Sequence, residues 1–250
     1  MTQEPHKPRN PRETQDVDKD FRIRMAEFPR IGSAEAMRME RELQERLRMQ
    51  GPRARTLKPL ALFYARTGNQ EKAYHYLKQW MKRAEHPEAL AECLLMCGQL
   101  AEQVDQVKSA IAFYREALDL SPKHPQVRYF LHNNLAYCLN RLAEYKDAEA
   151  HGRHAAEIDP SRANAFKNIG TSLAGLGRYA EAARVWLQAL HVDASDPRAL
   201  EQLEDLYAAQ GDKLCEAVPD FAGELERARR AVKTARTGRF GDWARGVTLN

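Results

Sequence analysis

An all-α stack of repeated helix pairs is the architecture this 250-residue sequence predicts, and three observations carry the prediction. Shifted by 34 against itself, the chain pairs Asn134 with Asn168, Leu135 with Ile169, Ala136 with Gly170, Tyr145 with Tyr179, Ala148 with Ala182 and Ala155 with Ala189. Upstream, a shift of 38 pairs Ala148 with Ala110, Ala155 with Ala117 and Pro160 with Pro122, and a shift of 37 pairs Ala110 with Ala73 and Gly98 with Ala61. The recurring positions are small or apolar, which is what two amphipathic helices need where they approach closely.

The N-terminal segment, residues 1–30, holds four prolines, seven basic and six acidic residues, and few apolar ones beyond Phe21, Ile23, Met25 and Phe28. Such a composition buries too little to offset ordering, so disorder is expected. Residues 31–53 contain an amphipathic helix from Ser33, its N-cap, to Gln50, stopped by Gly51-Pro52. Its apolar stripe of Met39, Leu43 and Leu47 is narrow, which leaves three roles open: capping the array, pairing with a partner helix, or remaining solvated.

Residues 54–196 divide into four units, at 54–87, 91–124, 129–162 and 163–196. The last is the clearest, with Phe166, Ile169, Gly170, Leu173, the turn residues Gly177 and Tyr179, then Ala182, Trp186, Ala189 and Leu190. The unit before it has Leu135, Ala136, Leu139, Tyr145, Ala148, Ala155 and Pro160, with Gly152 at the aromatic place. The second unit has Leu94, Cys97, Gly98, Ala110, Tyr114, Ala117, Leu118 and Pro122. The first has Leu57, Leu60, Ala61, Tyr64, Gly68, Ala73, Leu77 and Trp80, but Pro59 falls in its first helix. Thr56 as N-cap would put Pro59 in the first turn, where a missing N–H does no harm. After Pro197, Leu200, Leu203, Tyr207 and Gly211 repeat half a unit before Pro219 interrupts it, so residues 197–237 read as a degenerate fifth repeat with a capping helix and 238–250 as a flexible tail.

These residues and this spacing resemble the tetratricopeptide repeat family over roughly residues 54–211, which implies a superhelix, an α-solenoid of helix-turn-helix repeats. One unit cannot bury its apolar stripe alone, so neighbours stack into a continuous core. The resemblance also implies that the first helices line a concave groove for a protein or peptide partner, with no catalytic role.

Composition narrows the function classes further. The chain is 43% hydrophobic and 30% charged, with a net charge of +4. No apolar run approaches the ~20 residues that span a bilayer, and the N-terminus lacks an apolar leader core, so a cytoplasmic location is the default. Four cysteines, two of them four apart, read as reduced thiols rather than a disulfide framework. Residues 59–196 hold 16 basic and 16 acidic residues, so the repeats carry no excess charge.

The polar pair Asn134 and Asn168 holds equivalent places on neighbouring first helices, and Asn133, Asn164, Lys167, Thr171, Arg198 and Gln202 should share the groove. An amide both donates and accepts, so asparagines there suit the backbone of an extended peptide, as in the asparagine ladders of superhelical members of this family. Met96 and Gln202 occupy the flanking equivalents, which limits the ladder to two rungs. The same residues read equally well as solvated or helix-linking polar groups. A related subfamily grips a C-terminal carboxylate; Asn168 and Arg198 fit two of its places, whereas Asn133, Tyr137 and Gln202 lack the charge the other three require.

Other chemistries find less support. The basic segment Arg227, Arg229, Arg230, Lys233, Arg236 and Arg239, followed by Phe240 and Trp243, suits phosphates and bases, or an anionic surface. No base-reading motif accompanies it, and residues 197–226 carry two basic and eight acidic residues, so a solvated helix that balances them is preferred over nucleic acid. An accessory or chaperone subunit of a secretion system or enzyme complex differs from the groove reading only in its partner. Cys93 with Cys97, and His151 with His154 and Glu157, have ligand spacing on a helix, but Cys97 is already explained by packing and no metal is expected. Gly170 to Gly177 lacks the ending of a phosphate loop, and no nucleophile elbow occurs, so no cofactor is expected.

Overall fold

The structure, a computed structural model, describes residues 32–244. The expected disordered segment at 1–30 lies outside these residues, as do residues 245–250 of the expected tail. Among the described residues there are eleven helices and no strand. The described residues divide into two compact units, the first ending at Arg83 and the second beginning at Ala84.

In the first unit, α1 (Ala34–Gln50) begins where Ser33 Oγ accepts the Ala36 N–H at 3.1 Å and ends at Gly51, whose φ of +73° turns its N–H back onto Leu47 O at 2.9 Å. Met39, Leu43 and Leu47 are half-buried, and α1 packs on α2 (Ala54–Arg66). The Tyr64 hydroxyl donates to Glu40 Oε1 at 2.6 Å, and Lys72 Nζ on α3 (Gln70–Met81) reaches the same oxygen at 3.3 Å. One carboxylate therefore joins all three helices, and the narrow stripe is a packing surface.

Thr56 does not start α2. Arg53 takes the N-cap position, and Thr56 Oγ1 accepts the Arg53 N–H at 3.0 Å while donating to Gly51 O at 2.7 Å. Pro59 consequently sits one turn inside the helix. The hydroxyl reaches back to the backbone of Gly51 and Arg53, partners the position of Pro59 alone does not reveal.

The second unit consists of α4 (Pro87–Gln103), α5 (Val107–Asp119), α6 (Pro125–Arg141), α7 (Tyr145–Ile158), α8 (Ala163–Gly175), α9 (Tyr179–Val192), α10 (Arg198–Ala217) and α11 (Phe221–Ala244). Each helix packs on the next, and α4, α6 and α8 also touch in succession. The small residues decide how closely. A Cβ on Gly170 would stand 2.5 Å from Trp186 Cδ1, and one on Gly98 would overlap the Tyr114 ring, so each aromatic lies directly on a glycine backbone.

Between paired helices the chain turns through one left-handed residue: Asp105 at φ +62°, Ala143 at +59° and Gly177 at +75°. In each turn the following N–H closes five residues back, Gln106 onto Ala101, Glu144 onto Leu139 and Arg178 onto Leu173, at 2.8–3.0 Å. Gly68 makes the same turn in the first unit, at +74°.

Beyond α9, α10 departs from helical geometry at Gln210, beside Gly211, and continues to Ala217. Helix α11 then places Phe221, Leu225, Ala228 and Val232 in the apolar core formed with α9 and α10. It stays helical to Ala244, past residue 238 where the tail was expected to begin.

Candidate functional site

Because α6 and α8 lie side by side and α10 follows, their facing surfaces enclose a cavity of about 320 Å³. Helix α6 contributes Tyr137, Asn140 and Arg141, and α8 contributes Lys167, Asn168 and Thr171. Helix α10 adds Arg198, Ala199, Glu201 and Gln202, and the Trp186 indole forms part of the wall. Five of the eight residues expected in the groove therefore line this cavity: Lys167, Asn168, Thr171, Arg198 and Gln202.

Asn133, Asn134 and Asn164 do not line it. Asn133 is only 9% exposed and accepts Asn168 Nδ2 on both its backbone oxygen, at 3.0 Å, and its Oδ1, at 3.1 Å. Asn134 turns to the opposite side, donating to the Tyr114 hydroxyl at 3.4 Å. Asn164 Oδ1 receives Arg198 Nη2 at 3.5 Å, outside the cavity lining. Neighbouring helices thus use the amides that a two-rung ladder would have offered to a peptide.

The same helix-linking use extends to Asn140. Its Nδ2 donates to Asn168 O at 2.9 Å, and its Oδ1 accepts Ser172 Oγ at 2.8 Å, which satisfies a serine with no solvent exposure. Asn168 alone among the asparagines of α6 and α8 keeps part of its amide for the cavity. Both of its hydrogen bonds go through Nδ2, and its Oδ1 takes no protein donor.

Cations hold the rim. Asp196 accepts from Arg198 Nε at 2.9 Å and from Lys167 Nζ, and these contacts hold its carboxyl well below the usual range, Arg198 contributing most. Lys167 and Asp196 are 13% and 21% exposed at the side chain, which makes their pairing firmer than a surface ion pair of ~0–1 kcal/mol. Arg141 pairs with Asp105 Oδ1 and lies 5.9 Å from the centre of the Tyr137 ring, itself 43% exposed. Thr171 Oγ1 is turned to Lys167 O at 3.0 Å, and Trp186 Nε1 donates to the same oxygen at 3.3 Å. The interior of the cavity is therefore largely apolar and its rim carries charges of both signs, Arg141, Lys167 and Arg198 set against Asp105, Asp196 and Glu201.

Sequence reasoning left out Asn140, Arg141 and Glu201, and treated Tyr137 only as a missing charge. The repeat itself held the signal for two of them: Tyr137 stands 34 residues before Thr171 and Glu201 stands 34 after Lys167.

Elsewhere, Arg227 pairs with Asp220 and Glu224 at 2.7 Å, and Arg229 with Glu204 at 2.9 Å and Glu226 at 3.5 Å. Arg230 reaches Glu226 at 3.6 Å. These three cations of the basic segment face the chain's own acids. Cys93, Cys97 and Cys138 are buried and Cys215 is exposed, none of them in a disulfide. Among the described residues no group of three metal-ligating side chains is arranged to hold an ion, and no helix is long and apolar enough to cross a membrane.

A tetratricopeptide repeat family model matches residues 91–124, the span of the second unit read from the sequence. Curated relatives include protein O-mannosyl-transferase Tmtc2 of Drosophila melanogaster, 36% identical over 78 residues, and heat shock protein STI1 of Saccharomyces cerevisiae, 28% identical over 126 residues. The matches cover 31% and 50% of this chain but only 8% and 20% of those proteins. The crystal structure of YrrB, described as a TPR protein with an unusual peptide-binding site, superposes at a TM-score of 0.58 and 16% identity, over 79% of this chain and 97% of its own. The helix pairs found here, with small residues at the same places in successive units, are those of the tetratricopeptide repeat, and the family model identifies the pair at residues 91–124 as one such repeat.

Proposed function

We propose that this chain is a non-catalytic protein-binding module whose groove between α6, α8 and α10 holds an extended segment of a partner protein. The observation that carries the reading is the cavity of about 320 Å³ where the first helices of adjacent units meet, apolar within and ringed by Arg141, Lys167 and Arg198. Pockets for small segments have this character, concave and mostly apolar with a few placed polar groups. Arg198, exposed at its side chain, is the rim cation most open to an acidic side chain of the segment, taken in exchange for Asp196. The peptide-binding site named for YrrB supports the same choice of ligand class. A cytoplasmic setting is part of the proposal, suggested by four cysteines that form no disulfide.

The test is affinity capture from the native extract with wild type and the double variant Arg141→Glu, Arg198→Glu, after thermal unfolding shows that both fold. A partner held by wild type and lost by the variant supports the groove. Equal recovery by both proteins contradicts it.

A further inference from the structure

The hydrogen bonds that engage Asn168 continue well beyond the groove. Asn168 Nδ2 donates to Asn133 Oδ1 at 3.1 Å, Asn133 Nδ2 to Asn134 Oδ1 at 3.1 Å, and Asn134 Nδ2 to the Tyr114 hydroxyl at 3.4 Å. The Tyr114 hydroxyl then donates to Glu102 Oε1. Side chains from α8, α6, α5 and α4 thus form one chain, and every donor in it points towards Glu102.

Both ends pin that direction. The Asn133 backbone oxygen can only accept, so Asn168 must turn its Nδ2 to it. An ionised carboxylate also only accepts, so Tyr114 must give its proton to Glu102, and the amides between take the one orientation that serves both ends. Aligned hydrogen bonds polarise one another by roughly 10–30% per bond. At the far end the Asn168 Oδ1, free of protein donors, is left as a strengthened acceptor on a residue that lines the cavity.

We propose that Glu102 is a positioning residue for the groove: through Tyr114, Asn134 and Asn133 it fixes Asn168 with its carbonyl oxygen available to the cavity, so that the site receives a main-chain N–H of an extended segment. The relay stands on this geometry alone, and only its ligand rests on the peptide-binding reading.

Glu102 is half-buried, and burial pushes its carboxyl up, opposed by the Tyr114 and Cys138 hydrogen bonds and the Arg141 charge. Burial also raises the Tyr114 hydroxyl, and pushes the Cys138 thiol up to about 12, so neither titrates near neutrality. Arg141 stays charged, tied to Asp105. Glu102 is then the titrating end of the relay in the acidic range, while His132 and His151 titrate nearby on α6 and α7.

The test follows the Asn168 side-chain amide by NMR in the full ¹⁵N-labelled chain between about pH 4 and pH 8, for wild type, Glu102→Gln and Tyr114→Phe. Wild type is expected to show a titration at Asn168 with its midpoint above the ordinary carboxylate range, abolished by Glu102→Gln and by Tyr114→Phe. A flat wild-type profile, or a curve that survives Glu102→Gln and so belongs to the histidines, overturns the relay. If Tyr114→Phe fails to fold, Glu102→Gln decides.

The ligand clause is tested with N-methylacetamide, a peptide-bond mimic with one N–H, against N,N-dimethylacetamide, which has none. A response at Asn168 to the first and not the second supports the acceptor assignment, and equal responses overturn it. Loss of the relay with capture intact leaves the groove standing, and the converse leaves the relay without its ligand.

Discussion

The Trp186 indole lies against the backbone of Gly170, close enough that any side chain at 170 would occupy the same space. Gly170→Ala adds helix propensity worth about 1 kcal/mol. The added Cβ nevertheless forces the indole out of a packed core, at a cost of ~1–3 kcal/mol. Net destabilisation is expected, larger for Gly170→Leu, and thermal unfolding of the two variants measures it. Unchanged melting of both would show that the helices of this pair are not held at glycine contact.

Ala143 occupies a turn where Gly68 and Gly177 make the same bend with glycine. A left-handed alanine costs ~1–2 kcal/mol. Ala143→Gly should therefore raise the urea midpoint, by an amount that corresponds to about 1 kcal/mol after the glycine entropy is subtracted. Asp105→Gly, in the equivalent turn, should gain less, because Asp105 also pairs with Arg141. A larger gain at 105 than at 143 would refute this ordering.

His132 and His151 face each other across α6 and α7 with their Nδ1 atoms 2.9 Å apart, a distance that suits one shared proton. Burial pushes His132 down to about 4 and His151 also down, with His154 adding to both shifts, Arg128 to the first and Arg115 to the second, and Asp147 opposing the second. A histidine depressed in the fold is neutral there and protonates first when unfolded. Its contribution is thus present above the unfolded value near 6.5 and is lost as pH falls towards 4. His132→Phe should flatten the pH dependence of the melting temperature across that window. An unchanged slope would place the acid sensitivity elsewhere.

The packing was legible because it repeats. Gly98, Ala136 and Gly170 recur at intervals fixed by the unit, and each marks a close approach that only a small residue permits. Four members of the cavity lining were legible for a related reason: Lys167, Thr171, Arg198 and Gln202 occupy one face of consecutive first helices. The asparagines stayed open between groove and helix-linking roles because an amide's residue type does not say which way it turns. Asn133 and Asn140 find partners on α8, 28 to 35 residues away, and satisfying a buried amide or serine there outweighs offering it to solvent. Thr56 was misread, since its hydroxyl serves the backbone at Arg53 and Gly51 rather than starting a helix. Asp196, which organises two of the rim cations, belongs to the loop between units and stands outside the repeat pattern.

The acidic preference of the groove carries its own expectation. Reversing Glu201→Lys adds a fourth cation to the rim and should raise capture of an acidic partner, whereas Arg198→Glu should lower it by tenfold or more, about 1.4 kcal/mol. The two effects should shrink as salt is raised, since the rim is open to solvent. A captured partner indifferent to both substitutions would not be held through these charges.

Site-specific photo-crosslinking tests the central claim most directly. A benzophenone amino acid replaces Tyr137, at the exposed wall of the cavity, and in a second protein replaces Lys146, exposed on α7. Irradiated in native extract, the protein with the probe at 137 should form a discrete adduct with its partner, competed by unlabelled wild type, and the protein with the probe at 146 should not. An adduct from 146 and none from 137 would place the working surface on the second helices and contradict the groove.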